Sequence, residues 1–203
     1  MWLSDVSMQH KVFAGRLNWA DCNAVHTRVM RLFGELEGNS DVRQRAGILY
    51  RVEPGIGSGR VLVQSNDSIS DSDIRRVDLG SVLGGLKAGQ AVGVRVKANA
   101  VRTVNRTVDG ITKTHREPMG IDEIGAWFAT ALGGALHDVR LDEIELGQER
   151  QRSASIATSM IDARASVVDP AALVALVGSG IGRAKAFGCG LISVRALPEE
   201  SLL

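Results

Sequence analysis

Apolar residues recur along the chain at two spacings, one typical of helices and one typical of strands. Residues 21–36 carry an apolar stripe at helical spacing, and Asp21 or Asn23 can cap the first turn. This pattern predicts a helix that packs one face against a sheet. A second helical pattern covers residues 121–136, and a third helix begins after Asp169, where proline takes the first helical position. The stripe of the first helix consists of Val25, Val29, Leu32, Phe33 and Leu36.

Alternating or continuously apolar segments predict strands between these helices. Residues 48–52 and 60–64 flank a segment rich in glycine, which predicts a hairpin, whereas the polar residues 66–78 predict a surface loop. The order of strands and helices, repeated in both halves, predicts an α+β protein of two tandem ferredoxin-like domains, also called RRM-like. Further strands are predicted at residues 1–8, 91–98, 139–146, 154–160, 163–168 and 191–194.

A change of composition divides the chain into three parts. Residues 1–98 are predicted to form an N-terminal ferredoxin-like domain, residues 99–118 a basic linker, and residues 119–203 a C-terminal ferredoxin-like domain. Within the linker, Asp109 and Gly110 are the strongest short turn signal of the chain and predict a hairpin. The basic residues of the linker are Arg102, Arg106, Lys113 and Arg116.

A glycine-rich loop near the C-terminus is the most informative motif. The segment GSGIGRAKAFGCGLISV, residues 178–194, follows a predicted helix and leads into the last strand. Glycines bring main-chain amides close to a ligand, and Arg183 and Lys185 supply charge that phosphate can pair with. The loop predicts an anionic ligand, and a glycine-rich turn with solvated cations is the alternative. The glycines that carry this prediction are Gly180, Gly182, Gly188 and Gly190.

The position of the loop argues against common nucleotide-binding motifs. Walker loops and dinucleotide fingerprints follow an early strand and lead into a helix, whereas this loop follows a helix and leads into a strand. The same order counts against a coenzyme A acyltransferase, whose pyrophosphate loop opens a helix. No small-molecule cofactor is predicted.

Composition narrows the class of protein further. The chain has 203 residues, 44% of them hydrophobic, which predicts a soluble globular protein. A net charge of +1 is low for a protein that binds a polyanion, so a nucleic-acid site requires local clusters of cations. Cys22 and Cys189 fit neither a disulfide framework nor a zinc site. Because the chain has no apolar run long enough to span a bilayer and no secretory pattern, we expect a cytoplasmic protein without a membrane partner.

His26 is the best candidate for catalysis. At about 100° per residue it lies one step from Val25, on the margin of the apolar stripe, where its ring can pack and still present a nitrogen to a groove. The helix dipole near the N-terminus favours neutral imidazole, the form that accepts a proton. The position suits a general base, and a boundary histidine that makes one local hydrogen bond is the alternative.

The other polar candidates predict no metal site, and two arginines among them predict contact with phosphate. Because His10, His115 and His137 have no carboxylates at ligand spacing, no metal is predicted. Arg150 and Arg152 lie in a polar turn from which they can reach phosphate. Aromatic residues make up only 4% of the chain, which argues against a platform that stacks RNA bases.

Several segments, taken in order, resemble one known family across nearly the whole chain. They are the opening MWLS, the helix in which His26 precedes Val29 and Met30, ILYRVEP at 48–54, VLVQS at 61–65, RVKAN at 95–99, VDP at 168–170 and the closing GIGRAKAFGCGLISV. This set resembles the CasE family, also called Cse, the repeat-processing endoribonucleases of type I-E CRISPR systems. The glycine loop alone is typical of the wider RAMP superfamily.

The resemblance implies two ferredoxin-like domains and a metal-independent endoribonuclease that cuts CRISPR precursor RNA at the base of each repeat stem-loop. It also implies that the protein stays bound to its product among the other subunits of the Cascade complex. His26 matches the family's catalytic histidine, and Lys185 is expected to stabilise charge on the reacting phosphate. The implied RNA-binding residues are Arg102, Arg106, Lys113, Arg150, Arg152, Gly180, Gly182, Arg183, Gly188 and Gly190.

The reaction that the resemblance implies is attack of an RNA 2′-hydroxyl on the adjacent phosphate, which leaves a 2′,3′-cyclic phosphate and a 5′-hydroxyl. Some relatives carry a tyrosine at the position of Asn23, and an asparagine cannot serve as acid or base. The alternative is a RAMP-type subunit that binds RNA without cutting it. His26 distinguishes the two, because only a nuclease loses cleavage and keeps binding after His26→Ala.

Overall fold

The computed structural model describes residues 1–34, 42–56, 58–109, 111–151 and 154–198, and the chain folds into two four-stranded antiparallel sheets and a separate hairpin. The first half contains β1 (Trp2–Ser7), α1 (Cys22–Met30), α2 (Val42–Arg45), β2 (Leu49–Glu53), β3 (Arg60–Ser65), β4 (Arg75–Asp78) and α3 (Leu79–Gly84). The second half contains β5 (Ala91–Ala98), β6 (Val101–Val108), β7 (Ile111–Pro118), α4 (Ile121–Ala131), β8 (Leu136–Gln151), β9 (Ala154–Val167), α5 (Pro170–Ser179) and β10 (Ile192–Ala196). Short 3₁₀ helices cover Lys11–Phe13, Arg31–Phe33 and Lys185–Phe187.

The first sheet has the strand order β2-β3-β1-β4, in which every neighbouring pair is antiparallel. Helix α1 covers one face, where Val25 and Val29 pack with Val6 and Val63. The predicted apolar stripe therefore builds this core, although the last residue of the stripe, Leu36, lies outside the described residues.

The second sheet has the strand order β10-β5-β9-β8, again with antiparallel neighbours. Its core takes Ile124 and Phe128 from α4 and Leu173 and Val177 from α5. When the strands of each sheet are counted in chain order, the two sheets have the same strand order. In both sheets the fourth strand lies beside the first strand. The predicted α+β architecture of two ferredoxin-like units is confirmed.

Strand β5 has other neighbours than the sequence pattern predicted. Residues 91–98 were expected to complete the N-terminal half, but in the structure Val96 lies opposite Ile161 of β9 and Ile192 of β10. A mostly buried apolar strand fits the centre of either sheet, and chain order does not say which one it joins. The division of the chain at residues 98 and 119 stays a prediction, and we propose that the C-terminal domain begins with β5.

The fourth strand of the first sheet, β4, lies in a segment predicted to be a surface loop. It pairs only with β1, where Asp78 lies opposite Trp2, and it forms one edge of the sheet. A short strand with charged side chains is typical of a protected sheet edge. It lacks the apolar alternation from which the other strands were predicted, so the sequence pattern indicated a loop. The loop predicted over residues 66–78 is therefore wrong for its last four residues.

Two predicted boundaries in the second half also moved. The helix predicted over residues 121–136 ends at Ala131, because Gly133 and Gly134 turn the chain into β8. Strand β9 has no break between residues 160 and 163, since pairing with β8 continues through Ile161 and Asp162. The result is a long ribbon whose far end extends past β5.

The segment predicted as a basic linker forms the separate hairpin. Strands β6 and β7 pair along their whole length, and Val108 lies opposite Ile111. The predicted hairpin is confirmed by this pairing, and Asp109 has a φ of 51°, a left-handed conformation in which Asp is enriched. Gly110 lies outside the described residues.

Two buried polar side chains of the first sheet reach the C-terminal half. The guanidinium of Arg51 donates to the main-chain oxygen of Leu191 at 3.0 Å and to Ser193 Oγ at 2.8 Å. Gln64 Nε2 donates to the main-chain oxygen of Val177 at 3.0 Å. Because these acceptors lie on both sides of the glycine loop, the contact holds that loop against the first sheet.

Candidate active site

Helix α1 places His26 where the first sheet meets the glycine loop. Asp21 caps the helix by accepting hydrogen bonds from two main-chain amides of the first turn. The His26 ring stacks on Tyr50 of β2 at a centroid distance of 6.3 Å. The ring also meets the edge of Phe187, in the 3₁₀ helix of the loop, at 6.4 Å. His26 is thus held between aromatic rings from both halves of the chain.

The surroundings of His26 favour the neutral imidazole. Among the described residues, its buried Nδ1 has no hydrogen-bond partner, while the residue as a whole is half-buried. Burial lowers the pKa of His26 below its ordinary value of 6.5, and the positive charge of Arg43 lowers that pKa further. A neutral imidazole can accept a proton at neutral pH.

The glycine loop turns the chain sharply between α5 and β10. Gly180 has a φ of 64° and Gly190 a φ of 88°, and the Ile181 amide donates to the Gly190 oxygen at 3.1 Å. A Cβ on Gly180 would lie 2.5 Å from that oxygen, so only glycine fits. Gly188 is packed against the ring of Tyr50. Gly180, Gly188 and Gly190 are all buried, and they determine the shape of the loop.

Gly182 and Arg183 are exposed on this loop, and Lys185 is half-buried beside them. Lys185 Nζ donates to the main-chain oxygen of Ser179, at the end of α5, at a distance of 2.8 Å. A cation at this position is stabilised by the helix dipole. Burial lowers the pKa of the Lys185 ammonium, and the neighbouring charge of Arg43 lowers that pKa further.

A cleft of about 570 Å³ separates α2 from the glycine loop. Arg43 lines it on the side of α2, and Arg183 and Lys185 line it on the side of the loop. Among the described residues that line the cleft there is no carboxylate. The cleft therefore concentrates positive charge in a chain that is almost neutral as a whole, and such a cleft can bind phosphate.

Two residues beside His26, Arg43 and Tyr50, were not among the predicted site residues. No periodic pattern links Arg43 to His26, because the two lie in different elements that only tertiary packing brings together. Tyr50 is the one tyrosine of the chain and lies in a motif that the resemblance used, so a signal for it was present. Its hydroxyl donates to the main-chain oxygen of Ala186 at 3.2 Å, and burial raises its pKa, so Tyr50 supports the loop and keeps its proton.

The predicted RNA-binding residues of the linker share one face of the hairpin. Arg106 lies opposite Lys113 in the register, and Arg102 lies on the same side of β6 as Arg106. Arg102 and Arg106 both pair with Glu117, and Arg102 also pairs with Glu123. Lys113 is exposed. The hairpin thus offers a basic face whose two arginines are partly neutralised.

Arg150 lies at the far end of β8, next to the first turn of α1. Its main-chain amide donates to the Ala20 oxygen at 3.2 Å, and its main-chain oxygen accepts a bond from Cys22 Sγ at 3.1 Å. The side chain of Arg150 is exposed. Arg152, the other cation predicted in this turn, lies outside the described residues.

Metal-binding clusters and membrane-spanning helices are both absent from the described residues. No group of three or more His, Cys, Asp or Glu side chains there is arranged to hold a metal ion. In the same part of the chain, every helix is too short or too polar to cross a membrane.

The sequence and the fold match known proteins. The family described as CRISPR associated protein matches residues 1–196. Over 125 residues the chain is 31% identical to the CRISPR system Cascade subunit CasE of Escherichia coli (strain K12), an alignment that covers 55% of this chain and 61% of that protein.

Two solved structures have the same fold. The crystal structure of the CRISPR-associated protein Cas6e from Escherichia coli str. K-12 superposes with a TM-score of 0.69 at 25% identity, over 97% of this chain and 100% of that one. The CRISPR endoribonuclease Cse3 bound to a 19-nucleotide RNA has a TM-score of 0.69 at 21% identity, over 96% of this chain and 98% of that one. The resemblance drawn from the sequence is confirmed, and the chain belongs to the family of CRISPR associated proteins, among which it resembles CasE, Cas6e and Cse3.

Proposed function

We propose that this chain is a metal-independent endoribonuclease that cuts CRISPR precursor RNA at the base of the repeat stem-loop. The observation that carries the proposal is His26, a half-buried histidine whose pKa is lowered by burial and by Arg43. Arg43 in turn lines a cationic cleft without carboxylates among the described residues. A base next to a phosphate-binding cleft is what cleavage of RNA by its own 2′-hydroxyl requires. The family supplies the substrate, since a similar protein is called a CRISPR endoribonuclease.

In the proposed reaction, His26 Nε2 accepts the proton of the 2′-hydroxyl. The 2′-oxygen forms a bond to the adjacent phosphorus, and the bond between phosphorus and the 5′-oxygen breaks. The 5′-oxygen takes up a proton, so the products are a 2′,3′-cyclic phosphate and a 5′-hydroxyl. Lys185 stabilises the additional negative charge on the phosphate oxygens, and it is kept close to that position by the main-chain oxygen of Ser179.

The residues around His26 limit the choice of acid. Asn23 lies one turn before His26 and has no proton to exchange. Tyr50 is close, but its buried hydroxyl is hydrogen-bonded to the main chain and its pKa is raised. His26 is therefore assigned the first proton transfer, and we propose that the leaving oxygen is protonated by water or by Lys185, whose pKa is lowered. A slow single turnover suits an enzyme that keeps its product.

The RNA stem is assigned to the basic surfaces outside the cleft. Arg102, Arg106 and Lys113 on the hairpin face and Arg150 beside α1 would contact stem phosphates, together with Arg152. Gly182 and Arg183 on the exposed part of the glycine loop would contact the strand near the cut. Gly180, Gly188 and Gly190 are buried and would act through the shape of the loop. Such contacts position an A-form stem and do not read its sequence.

The product is proposed to stay bound inside a Cascade complex, because the relative with 31% identity is a Cascade subunit. We place the protein in the cytoplasm, where two free cysteines such as Cys22 and Cys189 stay reduced. The glycine loop leads from α5 into β10, an order that does not fit the pyrophosphate loop of a coenzyme A acyltransferase.

The test is incubation of the purified protein in EDTA with end-labelled repeat RNA from the host's own CRISPR array, beside His26→Ala. We expect cleavage at one position with a cyclic-phosphate end, lost in the variant while RNA binding remains. Tight binding without cleavage by either protein would favour the second candidate, a RAMP-type subunit that holds RNA. Cleavage that stops in EDTA would contradict metal independence.

A further inference from the structure

We propose that Arg43 is a further phosphate-binding residue of the active site and holds the scissile phosphate of the RNA together with Lys185. This inference rests on the proposed function, because it assigns Arg43 to the same cleft and the same reaction. Arg43 belongs to none of the motifs that predicted the site, and only the tertiary structure brings it to the cleft.

The guanidinium of Arg43 is hydrogen-bonded to the main chain next to β2. Arg43 lies in α2, and its Nη1 donates to the main-chain oxygen of Ile48, just before β2, at 2.7 Å. The side chain is half-buried and lines the cleft opposite the glycine loop. One bond of this kind uses one of the five N–H donors of a guanidinium, which leaves the others for a ligand.

Among the described residues, no carboxylate balances the charge of Arg43. Within 4.0 Å of its guanidinium nitrogens, no Asp or Glu oxygen lies among the described residues. The charge of Arg43 instead opposes two other positive charges, that of the Lys185 ammonium and that of protonated His26, and it lowers the pKa of both groups. Two half-buried cations that face each other cost free energy, and an anion between them removes that cost.

A phosphate is the anion that the geometry suits. A guanidinium can donate two parallel hydrogen bonds to phosphate oxygens, whereas an ammonium acts as a point charge. Arg43 lies on one wall of the cleft and Lys185 on the other. A phosphate held between them would lie near His26, whose pKa the charge of Arg43 lowers. Arg43 transfers no proton in this arrangement. It stabilises the negative charge that grows on the phosphate as the 2′-oxygen attacks.

The first arm of the test measures cleavage. Arg43→Gln removes the charge, Arg43→Lys keeps it without the paired donors, and Arg45→Gln makes the same charge change at an exposed position of the same helix. Under single-turnover conditions with saturating protein, Arg43→Gln is expected to slow cleavage by about 10²-fold. Arg43→Lys should recover part of the rate, and Arg45→Gln should cleave at the rate of the unmodified protein.

The second arm follows the imidazole of His26 by NMR and does not need cleavage. Among the described residues, Arg43 of α2 is the charged group that shifts the pKa of this ring, Tyr50 of β2 is a titratable group that stacks on it, and Phe187 of the loop, which contacts its edge, carries no charge. In Arg43→Gln without ligand, the pKa of His26 should rise. Inorganic phosphate should raise the pKa of His26 in the unmodified protein and in Arg45→Gln, and should leave it unchanged in Arg43→Gln. Thermal unfolding of each variant identifies any that has lost its fold.

The outcomes separate this inference from the proposed function. If the unmodified protein does not cut repeat RNA, the proposed function fails, and the phosphate titration still decides whether Arg43 binds the anion. If the unmodified protein cuts and a folded Arg43→Gln cuts equally fast, Arg43 has no part in the reaction. An equal effect of phosphate on His26 in both proteins would likewise overturn the inference.

Discussion

The guanidinium of Arg51 and the main-chain oxygen of Leu191 form a hydrogen bond of 3.0 Å between the two halves of the chain. Arg51 follows Tyr50 in β2, and Leu191 follows the last glycine of the loop. The Arg51 side chain is 1% exposed and also pairs with Glu53 at 2.7 Å. One buried arginine therefore joins the sheet that stacks on His26 to the loop that carries Lys185.

Arg51→Met should destabilise the protein strongly. The change leaves Glu53 and two main-chain oxygens without a buried donor, and removing one partner of a buried ion pair costs about 3–5 kcal/mol of unfolding free energy. Chemical denaturation measures the loss. Arg60→Met is the matched control, because Arg60 is 57% exposed and its distance to Asp5 is 3.6 Å, so the loss should stay below about 1 kcal/mol. Equal losses would contradict a special role for Arg51.

The rate of cleavage should depend on pH through His26. Because the folded-state pKa of His26 lies below 6.5, the imidazole is neutral at pH 7 and becomes protonated only on further acidification. The single-turnover rate is expected to be insensitive to His26 near pH 7 and to fall as the pH drops through the lowered pKa. A midpoint above pH 6.5 in the rate profile would show that the charge of Arg43 and burial do not control this histidine.

Substitution of the loop glycines should separate crowding from backbone strain. Gly180→Ala adds a Cβ 2.5 Å from the Gly190 oxygen at a φ of 64°, whereas at Gly182, with a φ of 69°, the nearest atom to an added Cβ lies 3.5 Å away. Left-handed φ costs an alanine about 1–2 kcal/mol in both cases, and crowding adds about 1–3 kcal/mol at Gly180 alone. Thermal or chemical unfolding of the two variants compares them directly. The order of stability should be unmodified protein, Gly182→Ala, Gly180→Ala.

The hairpin should contribute to RNA affinity through charge. Lys113→Gln is expected to weaken binding of the repeat stem-loop and to reduce the slope of log affinity against log salt by about 1. Lys11→Gln provides the control, because Lys11 is equally charged and 74% exposed but pairs with Asp71 at 2.9 Å on the first half of the chain. Fluorescence anisotropy at several salt concentrations measures both slopes. An unchanged slope for Lys113→Gln would remove the hairpin face from the RNA path.

Arg102 should matter less than Lys113 in the same titration. Its guanidinium already pairs with Glu117 and Glu123, so a phosphate has to compete with two carboxylates. Arg102→Gln is expected to change the salt slope by clearly less than Lys113→Gln. A larger effect of Arg102→Gln would mean that RNA binding breaks these ion pairs.

Local signals in the sequence were sufficient to predict one helix, one hairpin and the glycine loop of this protein. The apolar stripe predicted α1 and the position of His26 on its margin, with Asp21 or Asn23 as the cap, and Asp21 is the residue that caps the helix. The pair Asp109-Gly110 predicted the hairpin turn, and the glycines between α5 and β10 predicted a tight loop that carries Lys185. Each of these features depends on residues close together in the chain, for which spacing and backbone preference are sufficient.

Only the tertiary structure decided which distant residues meet. Strand β5 could have joined either sheet by its pattern, and hydrogen bonding to β9 and β10 placed it in the second. Arg43 has no periodic relation to His26 or Lys185, yet packing of α2 beside the loop places Arg43 and Lys185 on one cleft, and the charge of Arg43 lowers the pKa of both other groups. The spacing of residues along the chain predicts which side chains are neighbours on one helix or strand. The electrostatic field at His26 depends instead on the distances in space between residues of different elements.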